Sequence, residues 1–207
     1  MAESRLRSFF PRFGGENARS AGRSLAGLLL LAALAQAGLA RLEGTATRPL
    51  TGDEKRYVAV ATSWAAGEPA ELDPLWPPGY PATLAMLLRC GGSLASVVGL
   101  QILALLAAGL ALAGIARAAG ATPVFAWLAG AVLVVDPEVA AFARFFWPET
   151  LHLALLLAAL LLAIRCLSRD GKARQPLRAA LLGGLAGAAI ALKSLLLPLL
   201  PLLALPV

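Results

Sequence analysis

The stretch Leu94–Ala116, LASVVGLQILALLAAGLALAGIA, decides the fold class of this chain. It contains no charged side chain, and its length exceeds the roughly 20 apolar residues that a helix needs to cross a bilayer. The composition agrees, since 59% of the 207 residues are hydrophobic, 14% are charged and the mean hydropathy is +0.76. Soluble domains are about 45–50% apolar and about 25% charged. These values exclude a disordered chain, a disulfide-built secreted module and an ordinary soluble enzyme, and they predict an integral membrane protein.

Apolar segments on both sides of this stretch predict an all-α, polytopic bundle of membrane helices. The first, Ser24–Ala40, is longer than the ~7–15-residue core of a signal peptide, so we interpret it as a membrane anchor. Further apolar segments cover Pro123–Val135, Thr150–Ile164 and Ala179–Val207. Together these segments predict about five or six membrane crossings. Pro81–Arg89 is too short to cross, and we expect it to form an interfacial helix in the first outer loop.

The distribution of charge predicts the orientation of the bundle. Most Lys and Arg residues lie in the tail 1–24, at Arg117 and in the loop 165–178, whereas most acids lie in the loops 41–80 and 136–149. Because basic loops stay in the cytoplasm, the N-terminus is predicted to be cytoplasmic and the acidic loops to face outward. This pattern accounts for the net charge of +6 without a nucleic-acid partner. Cys90 and Cys166 fall on opposite sides and are expected to be unpaired.

The first candidate site lies in the outer loop 41–80, in the segment TGDEKRYVAVATSW that begins at Thr51. Thr51 is predicted to cap a helix whose first turn carries Asp53 and Glu54. Apolar residues at positions 57, 58, 61 and 64 give that helix one apolar face. It would place two carboxylates at the outer membrane surface, where a carboxylate can accept a proton from an attacking hydroxyl. The alternative is a solvated helix start with no role in chemistry.

Proline-rich sequence follows in the same loop, at Trp76–Pro81. Its three prolines and one glycine predict a rigid turn, and the rings of Trp76 and Tyr80 suit the membrane interface. Such a turn is either a stiff lead-in to the next helix or a support that holds a site in place.

Three polar residues in or beside the later apolar segments are further candidates. Glu149 opens the segment after Pro148, where it either stabilises the helix N-terminus or shares a site with the acids of the first outer loop. His152 lies one turn later and is either structural or functional. Lys193 interrupts the last apolar block, where it either snorkels to the interface or meets a phosphate as a point charge. The prolines after it predict a broken helix: Pro198, Pro201 and Pro206.

In this order, the features resemble the N-terminal part of the GT-C membrane glycosyltransferases, which include the dolichyl-phosphate-mannose protein mannosyltransferases and the lipid A aminoarabinose transferase. The resemblance covers nearly the whole chain, as a tail (1–24) and a transmembrane domain (25–207). It is carried by the first span, Asp53-Glu54 with Tyr57, Pro77–Pro81, Pro148-Glu149, and Gly184–Gly187 ahead of Lys193. It implies transfer of a sugar from a polyprenyl-phosphate-linked donor to a hydroxyl of a glycan, lipid or protein acceptor. The reaction would take place on the outer face of a bacterial plasma (inner) membrane.

The resemblance also implies roles for individual residues. Asp53 would be the general base and Glu54 its catalytic neighbour, which orients or supports it. Glu149, Lys193 and Tyr80 would bind substrate. A divalent cation, magnesium or manganese, would be held by Asp53 and Glu149 and would neutralise the leaving phosphate.

Members of this group are commonly much longer, so we expect the chain to be truncated at its C-terminus. The alternative is a non-catalytic multi-span membrane protein or an inactive remnant, in which the helix after Asp53 would face no cavity. A transporter or channel is disfavoured because Gln101 and Lys193 are among the few polar residues in the predicted spans.

Overall fold

The computed structural model of the chain describes residues 27, 30, 32–45, 47–74, 76–167 and 175–194. All regular secondary structure in this part of the chain is helical, which confirms the all-α prediction there. The basic tail 1–24, the middle of the loop 165–178 and the prolines at 198, 201 and 206 lie outside the described residues.

Eight helices follow one another along the described chain. Residues 32–42 form the described part of α1, and the others are α2 (Asp53–Ala66), α3 (Gly79–Arg89), α4 (Leu94–Ala118), α5 (Pro123–Val135), α6 (Pro137–Phe142), α7 (Glu149–Leu167) and α8 (Gln175–Leu192). The helices predicted in the first outer loop are therefore present as α2 and α3. Glu149 begins α7, as the sequence predicts.

The start of α2 differs from the prediction in one respect. Gly52 is the N-cap residue, in a conformation with φ +51° that favours glycine, and no side chain caps the helix. The expectation that Thr51 caps α2 is therefore wrong. Instead, the backbone N–H and the hydroxyl of Thr51 both donate to Oε2 of Glu54, each at 3.1 Å. Glu54 thus accepts a hydrogen bond from both donor groups of Thr51.

The helix α4 is the centre of the bundle. It packs against α5 on one side and α7 on another, while α7 also packs against α8 and α2 packs against α3. A Cβ atom at Gly130 would collide with the carbonyl oxygen of Gly109, so α4 and α5 meet backbone to backbone. A Cβ at Gly79 would likewise meet the carbonyl of Ala191. The start of α3 therefore lies against the end of α8, close to Lys193.

Two helices are long and apolar enough to cross a membrane by length and composition: Leu94–Ala118 and Glu149–Cys166. In the first helix, 50% of the most apolar 18-residue window is buried inside the protein, and in the second helix 22% of that window is buried. Two shorter helices are also apolar, Pro123–Val135 and Leu177–Leu192. Each of the five predicted apolar segments therefore contains helix among its described residues, and two of the described helices have spanning length.

A buried glutamine ties α3 to the bundle. Gln101 of α4 is 0% exposed, and its Oε1 accepts a 2.5 Å hydrogen bond from the hydroxyl of Tyr80 on α3. Its Nε2 donates to the carbonyls of Ala143 at 3.0 Å and Phe145 at 2.6 Å. These carbonyls belong to the connection between α6 and α7, so one amide fixes this connection against both α3 and α4.

Candidate functional site

An open pocket of about 170 Å³ lies where the start of α2 faces the start of α7. We call it the Asp53 pocket; its walls are Asp53, Tyr57, Trp147, Pro148 and Glu149. Asp53 is exposed and Glu149 is half-buried. Two acids that the sequence singles out, from distant parts of the chain, thus line the same cavity.

A second open pocket, of about 230 Å³, lies on the other side of Glu149. We call it the Lys193 pocket; it is lined by Val139, Phe142, Glu149, Thr150, His152, Leu153 and Lys193. The ammonium group of Lys193 donates to Oε1 of Glu149 at 2.9 Å, and their side chains are 36% and 30% exposed. Because Glu149 lines both pockets, this ion pair stands at the boundary between them.

Glu54 lines neither pocket, although it follows Asp53 in the sequence. Its side chain is 0% exposed. Arg48 donates to both carboxylate oxygens, at 2.6 and 3.0 Å, and the backbone N–H of Phe146 donates to Oε1 at 2.9 Å. With the two bonds from Thr51, the carboxylate accepts five hydrogen bonds. Glu54 is therefore buried by its hydrogen-bond partners and does not open into either pocket.

The protonation of Glu54 reflects the same contacts. Burial acts to raise the pKa of the carboxyl, but the hydrogen bonds from Arg48, Phe146 and Thr51, with the charge of Arg48, outweigh it and lower the pKa below its usual value. Glu54 is therefore an anion at neutral pH and serves as a fixed acceptor.

Arg48 is a residue that the sequence analysis missed. Its guanidinium lies 4.6 Å from the centroid of the Phe145 ring while it pairs with Glu54, an arrangement that favours arginine over lysine. We call Arg48, Thr51, Glu54 and Phe146 the Glu54 clamp. It joins the start of α2 to the connection before α7, and so holds the two sides of the Asp53 pocket together. The signal for this ion pair in the sequence was that Arg48 precedes Glu54 by six positions.

Tyr57 lines the Asp53 pocket, and Tyr80 packs against it from within the protein. The ring of Tyr57 meets Tyr80 edge-on, with ring centroids 5.1 Å apart, and packs in a tilted orientation against Trp76, with centroids 4.7 Å apart. Burial raises the pKa of both phenols, and the negative charge of Glu149 adds to the effect. Tyr80 is 0% exposed and lines neither pocket. The structure therefore separates Tyr80 from the other predicted substrate-binding residues.

The ligands expected for a metal are only partly assembled in the described part of the chain. No group of three or more His, Cys, Asp or Glu side chains there is placed to hold a metal ion. Asp53 and Glu149 share a pocket, and the described residues give Oε2 of Glu149 no hydrogen-bond partner. Cys90 and Cys166 are both free thiols, as predicted.

The site is thus a pair of acids and one lysine at two adjoining pockets of a helical bundle. Comparison of the chain with models of protein families, with curated proteins and with solved structures found no match. The function is therefore inferred from the residues and their geometry.

Proposed function

We propose that this chain is a GT-C-type membrane glycosyltransferase, or the N-terminal portion of one. It would transfer a sugar from a polyprenyl-phosphate-linked donor to a hydroxyl of a glycan, lipid or protein acceptor. The main support is that Asp53 and Glu149 line one pocket, with Lys193 paired to Glu149. The non-catalytic alternative predicts a solvated helix start that faces no cavity, whereas Asp53 lines a cavity.

In this mechanism Asp53 is the general base. Its carboxylate is exposed at the pocket and takes the proton of the acceptor hydroxyl. The acceptor oxygen then attacks the anomeric carbon of the sugar, and the bond from that carbon to the phosphate oxygen breaks. The polyprenyl phosphate leaves with the electron pair of that bond. Lys193 offers a positive charge to this phosphate, and Glu149 holds the ammonium at the boundary between the pockets.

A magnesium or manganese ion, which the resemblance implies, would be held by Asp53 and Glu149. Magnesium is commonly bound through one or two carboxylates together with phosphate oxygens. Asp53 and Glu149 are the two carboxylates that would hold such an ion, because they line the same pocket. When bound, it would stabilise negative charge on the phosphate.

The membrane setting that we propose is a multi-pass protein of a bacterial plasma membrane with a cytoplasmic N-terminus and five or six crossings. The spanning length of two apolar helices supports it. Large apolar side chains on the outside of the bundle support it further, because lipid covers such surfaces: Leu103 and Leu110 on α4, Phe125 and Val132 on α5. In this arrangement α2 and α3 lie at the outer surface with the Asp53 pocket.

A non-catalytic membrane protein is the second candidate. The ion pair between Lys193 and Glu149 favours it, because the pair also joins the end of α8 to the start of α7 without any substrate. Polar pairs of this kind can connect membrane helices for structural reasons alone.

The transferase proposal is tested with the full chain in lipid nanodiscs. Undecaprenyl phosphate carrying radiolabelled glucose, mannose or arabinose serves as the donor, and bacterial membrane extract supplies acceptors. We expect transfer by the wild type and a loss of about 100-fold or more in Asp53→Asn, the range seen for general bases. Glu138→Gln, an exposed acid in the first turn of α6, is the matched control and should keep full activity. If Asp53→Asn transfers sugar as fast as the wild type, Asp53 is not the general base. If the wild type transfers sugar from none of the donors, the non-catalytic candidate is favoured.

A further inference from the structure

Tyr57 lines the Asp53 pocket but has no role in the mechanism proposed above. It follows Asp53 by four positions on α2, so the two side chains share one face of the helix. Tyr57 is only 8% exposed. Among the described residues its hydroxyl has no hydrogen-bond partner, whereas the hydroxyl of the other tyrosine, Tyr80, donates to Gln101. A polar group on so buried a side chain calls for a partner, and the pocket is where one can enter.

Packing fixes the direction of the Tyr57 ring. Trp76 lies against it with ring centroids 4.7 Å apart, and Tyr80 meets it edge-on with centroids 5.1 Å apart. These two contacts leave the ring little freedom to turn, so the hydroxyl is held in position before a ligand arrives. A group ordered in advance loses little further freedom on binding, which favours a binding role.

Charge in the Asp53 pocket selects the kind of ligand. Two acids line it, Asp53 and Glu149, and no described basic residue does. Lys193 pairs with Glu149 from the other pocket, and no described residue forms an ion pair with Asp53. The carboxylate of Asp53 therefore repels an anionic group, whereas an uncharged hydroxyl group meets no such repulsion.

A hydroxyl group matches the two polar groups that α2 presents. It has one hydrogen to donate and two lone pairs that accept. The carboxylate of Asp53 only accepts, so it takes the hydrogen. Burial, with the charges of Glu149 and Asp53, raises the pKa of Tyr57 above its usual value, so the phenol stays protonated and donates to one lone pair. The second lone pair remains free to attack.

We infer that the Tyr57 hydroxyl donates a hydrogen bond to the acceptor hydroxyl whose proton passes to Asp53, and that the Asp53 pocket takes uncharged hydroxyl groups and rejects anionic ones. Tyr57 keeps its own proton throughout and directs the free lone pair of the acceptor oxygen. The identity of the bound group as the acceptor rests on the proposed function. Binding of a hydroxyl group beside Tyr57 does not depend on transfer and can be measured separately.

The binding test uses the full chain labelled with fluorotyrosine in lipid nanodiscs. The chain has two tyrosines, so fluorine NMR gives one signal for each, which Tyr57→Phe or Tyr80→Phe assigns. Glycerol, methyl α-mannoside and N-acetylserinamide are the uncharged hydroxyl probes, and inorganic phosphate is the anionic probe. At least one hydroxyl probe should shift the Tyr57 signal saturably and more than the Tyr80 signal, and phosphate should shift neither. A Tyr57 signal that no hydroxyl probe shifts, or that phosphate shifts, overturns the inference.

The transfer assay described above tests the role of Tyr57 in the reaction. At limiting membrane extract, Tyr57→Phe should transfer sugar about tenfold more slowly than the wild type, because one hydrogen bond to the acceptor is lost. The KM for the donor should not change. Thr62→Val is the matched control, because it removes a hydroxyl of the same helix that bonds to the carbonyl of Val58 and lines neither pocket. This control should transfer at the wild-type rate.

The outcomes separate this inference from the proposed function. Equal rates of Tyr57→Phe and wild type at limiting extract overturn the inference and leave the transferase standing. A saturable shift specific to Tyr57, with no transfer from any donor, supports hydroxyl binding and removes the transferase. Tyr57→Phe keeps both ring contacts, so its Tm should equal that of the wild type. If its Tm falls instead, the probe titration decides, because that titration is made on the wild-type protein.

Discussion

Replacing Glu54 with glutamine perturbs the Glu54 clamp with little change of shape. The amide keeps the size of the side chain and one acceptor oxygen, but it has no charge and puts an NH₂ group where the second oxygen stood. If the NH₂ replaces Oε1, it faces N–H groups of Arg48 and Phe146. If it replaces Oε2, it faces an N–H of Arg48 and the backbone N–H of Thr51. Either orientation leaves two N–H donors without an acceptor.

The size of the effect follows from these contacts. Each buried donor left unpaired costs about 1–3 kcal/mol, and loss of one member of a fully buried ion pair costs about 3–5 kcal/mol. The Arg48 side chain is 22% exposed, so water compensates part of its loss. We therefore expect Glu54→Gln to lower the free energy of unfolding by about 3 kcal/mol. For a chain of this length, that corresponds to a fall in Tm of roughly 6–12 °C.

The assay is thermal unfolding of the full chain in detergent micelles, followed by tryptophan fluorescence. Trp147 lies next to Phe146 and reports on this region directly. Glu68→Gln is the control, since Glu68 is exposed and an exposed substitution should stay within about 0.5 kcal/mol of the wild type. A Tm of Glu54→Gln equal to that of Glu68→Gln would refute the clamp as a structural element.

Three further predictions concern the same framework. The folded-state pKa of Glu54 is lowered from 4.5, so its contribution to stability is present above about pH 4.5 and is lost as the pH falls further. The Tm of the wild type, measured from pH 7 to pH 3, should therefore fall mainly below pH 4.5. The Tm of Glu54→Gln should fall less over the same range. Gly130→Ala should destabilise by about 1–3 kcal/mol in chemical unfolding, because its Cβ meets the α4 backbone, whereas Gly99→Ala, with open space around it, should be neutral or stabilising. Tyr80→Phe should cost about 1–3 kcal/mol in the same experiment by leaving Oε1 of Gln101 without its donor, and an unchanged midpoint would contradict that bond.

Local features of the fold were predictable from the sequence. The apolar run before Arg117 gives α4, the acids at 53 and 54 lie in the first turn of α2, and Pro148 precedes the start of α7. These features depend on residues a few positions apart, where periodicity and helix-end preferences act. The cap of α2 was predicted wrongly because Gly52 takes the N-cap position and the Thr51 hydroxyl donates to the carboxylate of Glu54.

The contacts that build the site depend on long-range packing and were not predictable. The sequence singled out Asp53, Glu149 and Lys193, and the structure brings these three to adjoining pockets. Nothing in the sequence indicates that the neighbouring Glu54 bonds to the backbone of Phe146 and does not line the Asp53 pocket. Periodicity assigns a side chain to a face of its helix, but which segment covers that face depends on how the helices pack. Gln101 illustrates this, because its partners lie on α3 and on the connection between α6 and α7.

The bond between Glu54 and the backbone of Phe146 has a consequence for the order in which the chain assembles. Every residue from α2 to α6 lies between these two partners, so the bond closes a long segment of chain into a ring. During synthesis, Arg48 and Thr51 are available to Glu54 as soon as α2 forms, since they precede it by six and three residues. The carboxylate therefore stays paired within its own loop while the next four helices are made. The Asp53 pocket acquires its second wall only after Trp147, Pro148 and Glu149, which directly follow Phe146, have been made.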